Sequence, residues 1–511
     1  MPAIPARHDA VAWSVTVRGL TGHLRQVTAE VTPGLPSLTV TGPGEDRPPA
    51  CIDRVHAALT GAGWAWPRIR LTLTTSPPVP AGIDGIHDLA VAAAILAASD
   101  PATVSAPRLA GVVLLGQLGP DGSVVSVRGI LPAVLAARDH GHTVVIVPHA
   151  NLAEAALAPG ITVLGAVHLR GVLAWLGGDK DAVTGPAAVP APPESTGVDL
   201  GDIRGHYRTR WALEVAAAGG HHVRLIGPAE AGLGALARRL PGLLPRLTES
   251  ESLEVRAIAS LTGTLPEGPL PAIAARPFVD VHHSASARAL LGSAGFARPG
   301  ALARAHHGVL HLESYPDLHE RALDALRTSL EAGEVVVANR DNLLRLPCEA
   351  LAVLTSSECF CPATHQGACA CPAGARRGHQ DRLRRVLADR VDITVRENPD
   401  DRAGFGNDSR ETSAEVRHRV TAARTAAAHR WREHGHTLNA RIPASLLRQQ
   451  FPLSPTESAP LEAALREGRI TRHGGDRVLA VAVTIADLRG ADHPSTHDLV
   501  EALHLHGFGR P

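Results

Sequence analysis

The sequence of 511 residues contains almost no lysine. Lys180 is the only one, and every other residue among the 50 basic ones is arginine. A site whose chemistry requires a lysine can therefore use only Lys180. The chain is rich in Ala, Gly, Pro and Arg, and this bias is typical of a compositional drift that exchanges lysine for arginine without a functional meaning.

The chain also lacks a net charge, because 50 acidic residues balance the 50 basic ones. Whole-chain charge therefore does not favour a nucleic acid or a membrane surface as partner. The longest apolar run, Leu89 to Ala98, is too short to span a bilayer. The N-terminal stretch MPAIPARHDAVAWSVTV has no apolar core of a secretory signal. We therefore expect a cytoplasmic protein without a membrane partner, whose six cysteines are reduced.

Length and patterning predict an α/β protein with several domains. A chain of this length exceeds one compact core, and its hydrophobic fraction of 44% is ordinary for a globular protein. Strands and helices alternate over residues 1–179, and a Pro/Ala/Gly-rich linker follows at 180–196. A second α/β domain is predicted over 197–397. A mainly helical domain is predicted over 398–511, and it begins with a polar break at 398–412.

Several segments carry clear secondary-structure signals. SLTVTG and IRLTLTT read as strands of the first domain, and ACIDRVHAALTGAG and HDLAVAAAILAAS read as helices. In the second domain, TRWALEVAAAGG and HERALDALRTSLEAG read as helices and GVLHLE reads as a buried strand. The alternation in the second domain predicts a doubly wound sheet.

Residues 223–240, VRLIGPAEAGLGALARRL, have the layout of a phosphate-binding loop between a strand and a helix. Gly227 and Gly232 stand at the two glycine positions of G-x-x-x-x-G-K-[ST], and Pro228 follows the first. However, Leu233 occupies the lysine position and Gly234 the Ser/Thr position. The segment is either a former nucleotide site or a strand–turn–helix corner, for which glycines suffice.

Four cysteines form a compact pattern, C-x-C-x7-C-x-C, at Cys359, Cys361, Cys369 and Cys371. Four thiolates on a short loop can close a tetrahedral zinc site. The alternative is a group of free cysteines without metal. The two remaining cysteines, at 51 and 348, are predicted to be core residues.

Nearly the whole chain resembles the YifB/ComM family of magnesium-chelatase-like AAA+ ATPases. In the first domain, EVTPGLPSLTVTG, DRVHAALTGAG and HDLAVAAAILAAS carry the resemblance. In the second domain, the carriers are GVDLGDIRGHYRTRWALEVAAAGGHH, RPFVDVHHSAS, ARAHHGVLHLE, the cysteine segment and LADRVDITV. RIPASLLRQQFPLSP and DRVLAVAVTIADL carry it in the last. The resemblance implies a ribosomal-S5-like (Lon-protease-like) N-terminal module, a P-loop AAA+ core, a C-terminal helical lid, ring assembly, and ATP with Mg²⁺ as cofactors.

The same resemblance implies that the nucleotide site is degenerate. Leu233 and Gly234 cannot neutralise phosphate charge or hold Mg²⁺, and Glu230 adds a carboxylate to the loop. Glu313 stands in place of the metal-binding aspartate, and Ser314 stands in place of the glutamate that activates water. A serine hydroxyl is no general base near neutral pH.

Three further positions implied by the resemblance lie outside the loop. Ser357 replaces a sensor asparagine, and Ala480 replaces a sensor arginine, near which Arg477 remains. Arg390, in LADRVD, matches the family's trans-acting arginine finger. We therefore expect a pseudo-ATPase whose finger survives while its own site is lost.

Two other chemistries are less favoured. The Lon-like module would need a Ser–Lys dyad for peptidase activity, but PPVPAGIDGIHDLAVA contains neither residue. Asp84 and Asp88 in that stretch read as turn and helix-cap residues. The adjacent histidines at 282–283 and 306–307 are expected to point to different sides of the chain, which argues against a shared metal.

Three functions remain open. The first is an inactive AAA+ scaffold or regulatory ring subunit, assembled with itself or with an active paralogue. The second is an active ATP-dependent DNA-processing motor of the ComM type, which acts like a branch-migration enzyme. The third is a stand-alone nucleic-acid-binding module. Its basic stretch would be Arg376, Arg377, Arg382, Arg384 and Arg385, although the acids Asp381 and Asp389 lie within it.

Overall fold

The chain folds into two compact units. The computed structural model describes residues 8–41, 50–77, 85–100, 104–187, 197–266, 268–294, 298–338, 343–359, 361, 369–387, 390–397 and 411–508. The first unit comprises Met1–Pro192, Glu249–Ala274 and Gly295–Arg298, and the second comprises Pro193–Thr248, Ala275–Ala294 and Pro299–Pro511. Asp84, residues 188–196 of the predicted linker and 398–410 of the predicted polar break lie outside the described residues.

A seven-stranded mixed sheet organises the first unit, in the order β3-β4-β2-β1-β5-β8-β9. β1 and β2 form a long antiparallel hairpin, and β2 also pairs antiparallel with β4. The other neighbours in the sheet pair parallel. The strands are β1 (His8–Arg18), β2 (Thr21–Thr32), β3 (Ser37–Thr41), β4 (Arg70–Ser76), β5 (Val113–Leu114), β6 (Gln117–Leu118), β7 (Val124–Val125), β8 (Val144–Pro148) and β9 (Thr162–Ala166).

Helices cover both faces of this sheet. They are α1 (Ala50–Gly61), α2 (Asp88–Ser99), α3 (Ala106–Ala110), α4 (Ile130–Asp139), α5 (Leu152–Ala155) and α6 (Leu169–Gly177). Because side chains alternate along a strand, Ala12 of β1 joins the core that contains α2, whereas Val15 joins the core that contains α4. α2 is apolar on every side and lies buried within its core, as such helices do.

After the first sheet, the chain continues with the helices and strands that lead into and form the second sheet. They are α7 (Tyr207–Gly219), β10 (Val223–Ile226), α8 (Leu233–Ala237), α9 (Leu240–Leu243), α10 (Glu249–Thr262, in the first unit), β11 (Phe278–Val281), α11 (Ala287–Leu291), β12 (Gly292–Ser293), β13 (Arg298–Pro299), α12 (Ala301–Arg304), β14 (Val309–Glu313), α13 (Glu320–Ala332), β15 (Glu334–Ala338), β16 (Leu343–Pro347), β17 (Leu351–Ser356), α14 (Ala373–Arg385) and β18 (Ile393–Arg396).

The second unit is built on a parallel five-stranded sheet with the order β11-β14-β17-β10-β18. The chain leaves β17, crosses β10 and enters β18, so the strand order reverses at β10. Ligands of open parallel sheets bind beyond the carboxyl ends of the strands at such a reversal. A ligand site of this sheet is therefore expected at the carboxyl end of β10.

In the described part of the chain after β18, five α-helices belong to the second unit: α15 (Ser413–Trp431), α16 (Ala444–Gln450), α17 (Pro455–Arg466), α18 (Arg472–Leu488) and α19 (Thr496–Leu503). Reciprocal capping boxes fix the starts of three of them, through Thr412 with Glu415, Ser454 with Glu457, and Ser495 with Asp498. α18 is the buried centre, and it packs against α7, α15 and α19.

The predicted α/β class is confirmed in its broad form: a mixed N-terminal sheet, a parallel five-stranded core sheet and a helical C-terminal region. The strands and helices predicted from SLTVTG, IRLTLTT, GVLHLE, HDLAVAAAILAAS and HERALDALRTSLEAG are all present. The sequence did not predict the antiparallel hairpins β1–β2 and β15–β16. Across the described residues, every helix is too short or too polar to cross a bilayer.

Candidate nucleotide site and cysteine cluster

The loop after β10 has the shape of a phosphate loop, and each of its glycines has a structural reason. The Gly227 N–H donates to the Ser356 carbonyl over 3.1 Å, which ties the loop to β17. A Cβ added at Gly227 would lie 3.0 Å from the Glu397 Cβ, so only glycine fits without a shift. Gly232 has a φ of 63°, the left-handed region that glycine adopts without strain.

Leu233 turns into the protein interior. Its side chain belongs to the main core of the second unit, and the residue is only 7% exposed. Its Cδ1 lies 3.4 Å from the place where a Cβ on Gly227 would stand. The position at which a phosphate loop carries its lysine is therefore occupied by a buried isobutyl group. α8, which begins at this residue, is only five residues long.

Carboxylates flank the same loop. Glu397 follows β18 and is nearly buried; its Oε1 accepts a hydrogen bond from His206 Nδ1 over 2.7 Å, and its other oxygen accepts one from the Thr209 hydroxyl. Glu230 is exposed within the loop itself. Two carboxylates therefore flank this loop, and its lysine position carries the uncharged Leu233.

A polar network lies under the start of α8, and sequence reasoning did not anticipate it. His311 Nδ1 hydrogen-bonds to Asp280 Oδ1 over 2.8 Å, and its Nε2 lies 2.9 Å from Thr355 Oγ1. Asp280 also forms an ion pair with Arg238. Burial lowers the pKa of His311, although Asp280 opposes this. A histidine within the apolar strand segment VLHLE was the available signal, because a polar residue in a buried strand needs partners.

The same network also approaches Gly234, the second residue of α8. A Cβ added at Gly234 would lie 3.6 Å from His311 Cε1. The imidazole therefore faces Gly234, the position at which the pattern G-x-x-x-x-G-K-[ST] carries its hydroxyl.

Three further residues that the sequence analysis singled out lie at the carboxyl end of the sheet. Glu313 is the exposed last residue of β14, and it stands in register with Thr355 of β17. Ser314 follows with a φ of 48°, a left-handed conformation that turns the chain away from the strand. Ser357 follows β17, and its hydroxyl donates to the Cys359 carbonyl over 2.5 Å. The structure thus brings Glu313, Ser314 and Ser357 to the edge at which the loop lies.

Arg477 is placed differently. It forms an ion pair with Asp392, which precedes β18 and therefore lies at the amino end of the sheet. The loop lies at the carboxyl end of β10, which runs parallel to β18. Four residues of strand separate these ends by about 10 Å. The structure therefore does not bring Arg477 to the loop, and it makes Arg477 part of the contact between the sheet and α18.

Arg390 also lies near the amino end of β18. Its Nη2 is 2.6 Å from Glu331 Oε2 on α13, and its side chain keeps partial exposure. The arginine is therefore held at the surface by an exposed carboxylate of its own chain.

The four clustered cysteines converge. The Sγ of Cys369 lies 3.3 Å from that of Cys359 and 3.4 Å from that of Cys361, and all four sulfurs, including that of Cys371, lie within 4.8 Å of one another. Four sulfurs at about 2.3 Å from one zinc would stand about 3.8 Å apart. The donor set and its spacing therefore fit zinc.

Two thiols of the cluster differ in acidity: hydrogen bonds with the other three raise the pKa of Cys371 to about 12, whereas Cys369 is the more acidic of the two. The backbone N–H of Cys371, together with the thiols of Cys359 and Cys361, hydrogen-bonds to Cys369 and lowers its pKa to about 7. A metal needs its cysteine ligands deprotonated, and one of the four already approaches that state at neutral pH.

The adjacent histidines do not separate as expected. The ring centroids of His282 and His283 lie 3.9 Å apart, and those of His306 and His307 lie 3.8 Å apart. The expectation that each pair points to different sides was therefore wrong, because irregular backbone does not impose the alternation of a strand. Asp88 is the first residue of α2 and is fully buried against Arg54, over 2.7 Å, which is a structural role.

Three models of the magnesium chelatase family match the chain. Residues 27–151 match the subunit ChlI of Mg-chelatase, residues 199–403 match magnesium chelatase subunit ChlI, and residues 410–506 match its C-terminal part. An uncharacterized protein of Mycobacterium tuberculosis is 42% identical over 98% of both chains. YifB of Escherichia coli is 32% identical over 95% of this chain and 94% of its own. Competence protein ComM of Haemophilus influenzae is 30% identical over 97% and 96%.

Proposed function

The chain belongs to the magnesium-chelatase-like AAA+ family that includes YifB and ComM, and on this premise we propose that it is a catalytically inactive member that serves as a scaffold or regulatory ring subunit. The family consists of ATPases that use ATP and Mg²⁺. The proposal is therefore that this chain has lost ATP hydrolysis. DNA processing is the setting that the resemblance implies, with DNA as a candidate partner.

The burial of Leu233 is the observation that carries the proposal. A P-loop lysine must reach the β- and γ-phosphates, whereas the Leu233 side chain packs into the core beside Gly227. Three further features support it. Gly234 has no hydroxyl for Mg²⁺, Ser314 has no carboxylate for water, and Glu397 places a negative charge beside the loop. Loss of one such group typically raises the barrier by several kcal/mol.

The proposed architecture has a Lon-like, S5-like module at 1–179, a linker at 180–196, an AAA+ core at 197–397 and a helical lid at 398–511. Zinc is the proposed cofactor, bound by Cys359, Cys361, Cys369 and Cys371. It would act structurally, because four protein ligands leave no open position for chemistry.

A nucleotide-binding titration tests the proposal directly. The full chain is titrated with ATP and with ADP, with and without Mg²⁺, by calorimetry. We expect weak or undetectable binding and no increase with Mg²⁺, since no metal-binding hydroxyl follows Gly232. Tight Mg²⁺-dependent binding together with ATP turnover would identify an active motor instead and would overturn the proposal.

A further inference from the structure

The β1–β2 hairpin carries basic side chains on one face of its tip. Arg25 stands directly opposite Ser14, His23 opposite Thr16, and Arg18 opposite Thr21. Directly opposite residues share a face of a sheet, so Arg18, His23 and Arg25 lie together. β4 pairs with β2 only from Gln26 onward. In the described part of the sheet, residues 21–25 therefore have a strand neighbour on one side only.

A chain of buried hydrogen bonds fixes Arg25. Its Nε donates to Thr16 Oγ1 over 3.0 Å. Thr16 Oγ1 lies 3.1 Å from His87 Nε2, and His87 Nδ1 lies 2.8 Å from Ser14 Oγ. Burial holds His87 neutral, since it lowers the pKa to about 4. The assignment that satisfies every group has Nδ1–H donating to Ser14, and the Thr16 hydroxyl donating to Nε2 while it accepts from Arg25.

The two terminal nitrogens of Arg25, Nη1 and Nη2, take no part in this chain of hydrogen bonds. The residue is only 5% exposed, yet its Nη groups have no acceptor and no carboxylate partner among the described residues. The charges that act on Arg25 and His23 are themselves cationic: those of Arg18 and, for His23, also of Arg25 and His140. The Nη groups are not among the buried polar atoms that lack a partner. They therefore reach solvent, where a guanidinium without a carboxylate partner can accept an anion.

We propose that this hairpin tip is an anion site that takes a phosphate group. The Nη groups of Arg25 would form a two-pronged contact with phosphate oxygens, which is the geometry that guanidinium matches best. Arg18 and His23 would flank the bound group. The site is separate from the loop after β10 and does not depend on whether that loop binds nucleotide. The phosphate can belong to a small molecule or to a nucleic-acid backbone.

Thermal unfolding and calorimetry of the full chain test the site with three probes: inorganic phosphate, pyrophosphate and a single-stranded DNA oligonucleotide, against chloride at equal ionic strength. We expect at least one phosphate probe to raise the unfolding temperature of the wild type. The key variant is Arg25→Met. If Arg25 awaits an anion, this variant loses the response to the probe and, without anion, unfolds at the same or a higher temperature than the wild type.

Arg18→Gln provides a second variant that does not disturb the core, because Arg18 is exposed. It should weaken binding of the probe about 3- to 10-fold, in line with loss of one charge-assisted contact. The matched control is Arg68→Gln, which is exposed beyond the opposite end of β4 and should change nothing. A response to the oligonucleotide alone assigns the phosphate to a nucleic acid, and a response to inorganic phosphate or pyrophosphate assigns it to a small molecule. The absence of any binding that depends on Arg25 or Arg18 would overturn the proposal.

Discussion

Asp280 joins His311 to Arg238: its carboxylate receives a hydrogen bond from His311 Nδ1 over 2.8 Å and forms an ion pair with Arg238. These three residues place a cation, an anion and an imidazole beneath the start of α8. The protein's own charges thus balance one another in the region where an ATPase would hold Mg²⁺ and phosphate.

Restoring the missing phosphate-loop groups should restore binding before it restores turnover. The double variant Leu233→Lys with Gly234→Thr supplies the clamp and the metal ligand, and it should gain Mg²⁺-dependent ATP binding by calorimetry. Because the Leu233 side chain is buried, a lysine at this position should lower the free energy of unfolding by about 1–3 kcal/mol.

Turnover in that double variant should stay at background, because Ser314 cannot activate water. Adding Ser314→Glu should then raise the rate at least about tenfold, measured as phosphate release. The matched control is Ser314→Gln, which has the size but not the charge. Robust hydrolysis in the double variant alone would mean that the general base lies elsewhere.

The stability of the first unit should fall in mild acid because of His87. Its pKa is lowered from 6.5 to about 4, first by burial and then by the nearby Arg25. Below about pH 6.5 His87 therefore binds a proton in the unfolded chain but not in the folded chain. The stability that the neutral imidazole contributes is full above that pH and is lost as the pH falls toward 4. Between pH 7 and pH 5 the loss should be about 2 kcal/mol.

Hydrogen exchange of the β1 amides, compared at these two pH values after correction for intrinsic rates, measures this loss. His87→Gln should flatten the difference, because glutamine does not titrate. The exposed His8 lies at the start of the same strand, and His8→Gln should leave the difference unchanged. A wild-type chain equally protected at both pH values would contradict the assignment of a buried neutral imidazole.

Long, strongly patterned elements were predictable from the sequence. The apolar run of α2 and the amphipathic stretch of α13 appear where the periodicity placed them. The glycines of the loop were also predictable. Gly227 leaves no room for a Cβ, and Gly232 has a left-handed backbone, and other residues tolerate neither well.

Contacts between distant segments were not predictable in the same way. His311 and Asp280 lie 31 positions apart, and only the parallel pairing of β11 with β14 makes them neighbours. The position of Arg477 on the C-terminal helix α18 made it a candidate for contact with the loop. In the structure it instead forms an ion pair with Asp392, at the opposite end of the sheet. A sequence motif gives residue type and spacing, whereas the partner that captures a long side chain depends on tertiary packing.

The cysteine cluster should hold about one zinc per chain. Its sulfurs already stand within 4.8 Å of one another, so metal binding requires only small shifts toward the spacing of a tetrahedral site. Elemental analysis of protein prepared without chelator measures the ratio, and X-ray absorption should give four sulfur neighbours at about 2.3 Å.

Cys369→Ser should abolish stoichiometric zinc, while Cys51→Ala, which removes a cysteine distant in sequence, should retain it. Because Ser357 bonds to the Cys359 carbonyl, zinc removal should also increase hydrogen exchange at the end of β17. Four freely titratable thiols and no metal in the folded wild type would leave only a group of unligated cysteines.

Arg390 should act on a neighbour rather than on its own loop. If the chain is a silent ring subunit, its own site is dispensable, but a trans arginine that stabilises transition-state charge can be worth about 10³-fold in rate. A mixture with an active paralogue should therefore keep or gain ATPase activity, and Arg390→Ala should depress it strongly. Glu331 holds the Arg390 guanidinium within its own chain, so Glu331→Gln should preserve or increase the stimulation. Leu233→Met, a change of similar volume in the loop after β10, is the control and should have no effect. Equal losses from Arg390→Ala and Leu233→Met, or no association with any active paralogue, would exclude the ring-subunit role and leave a separate binding role.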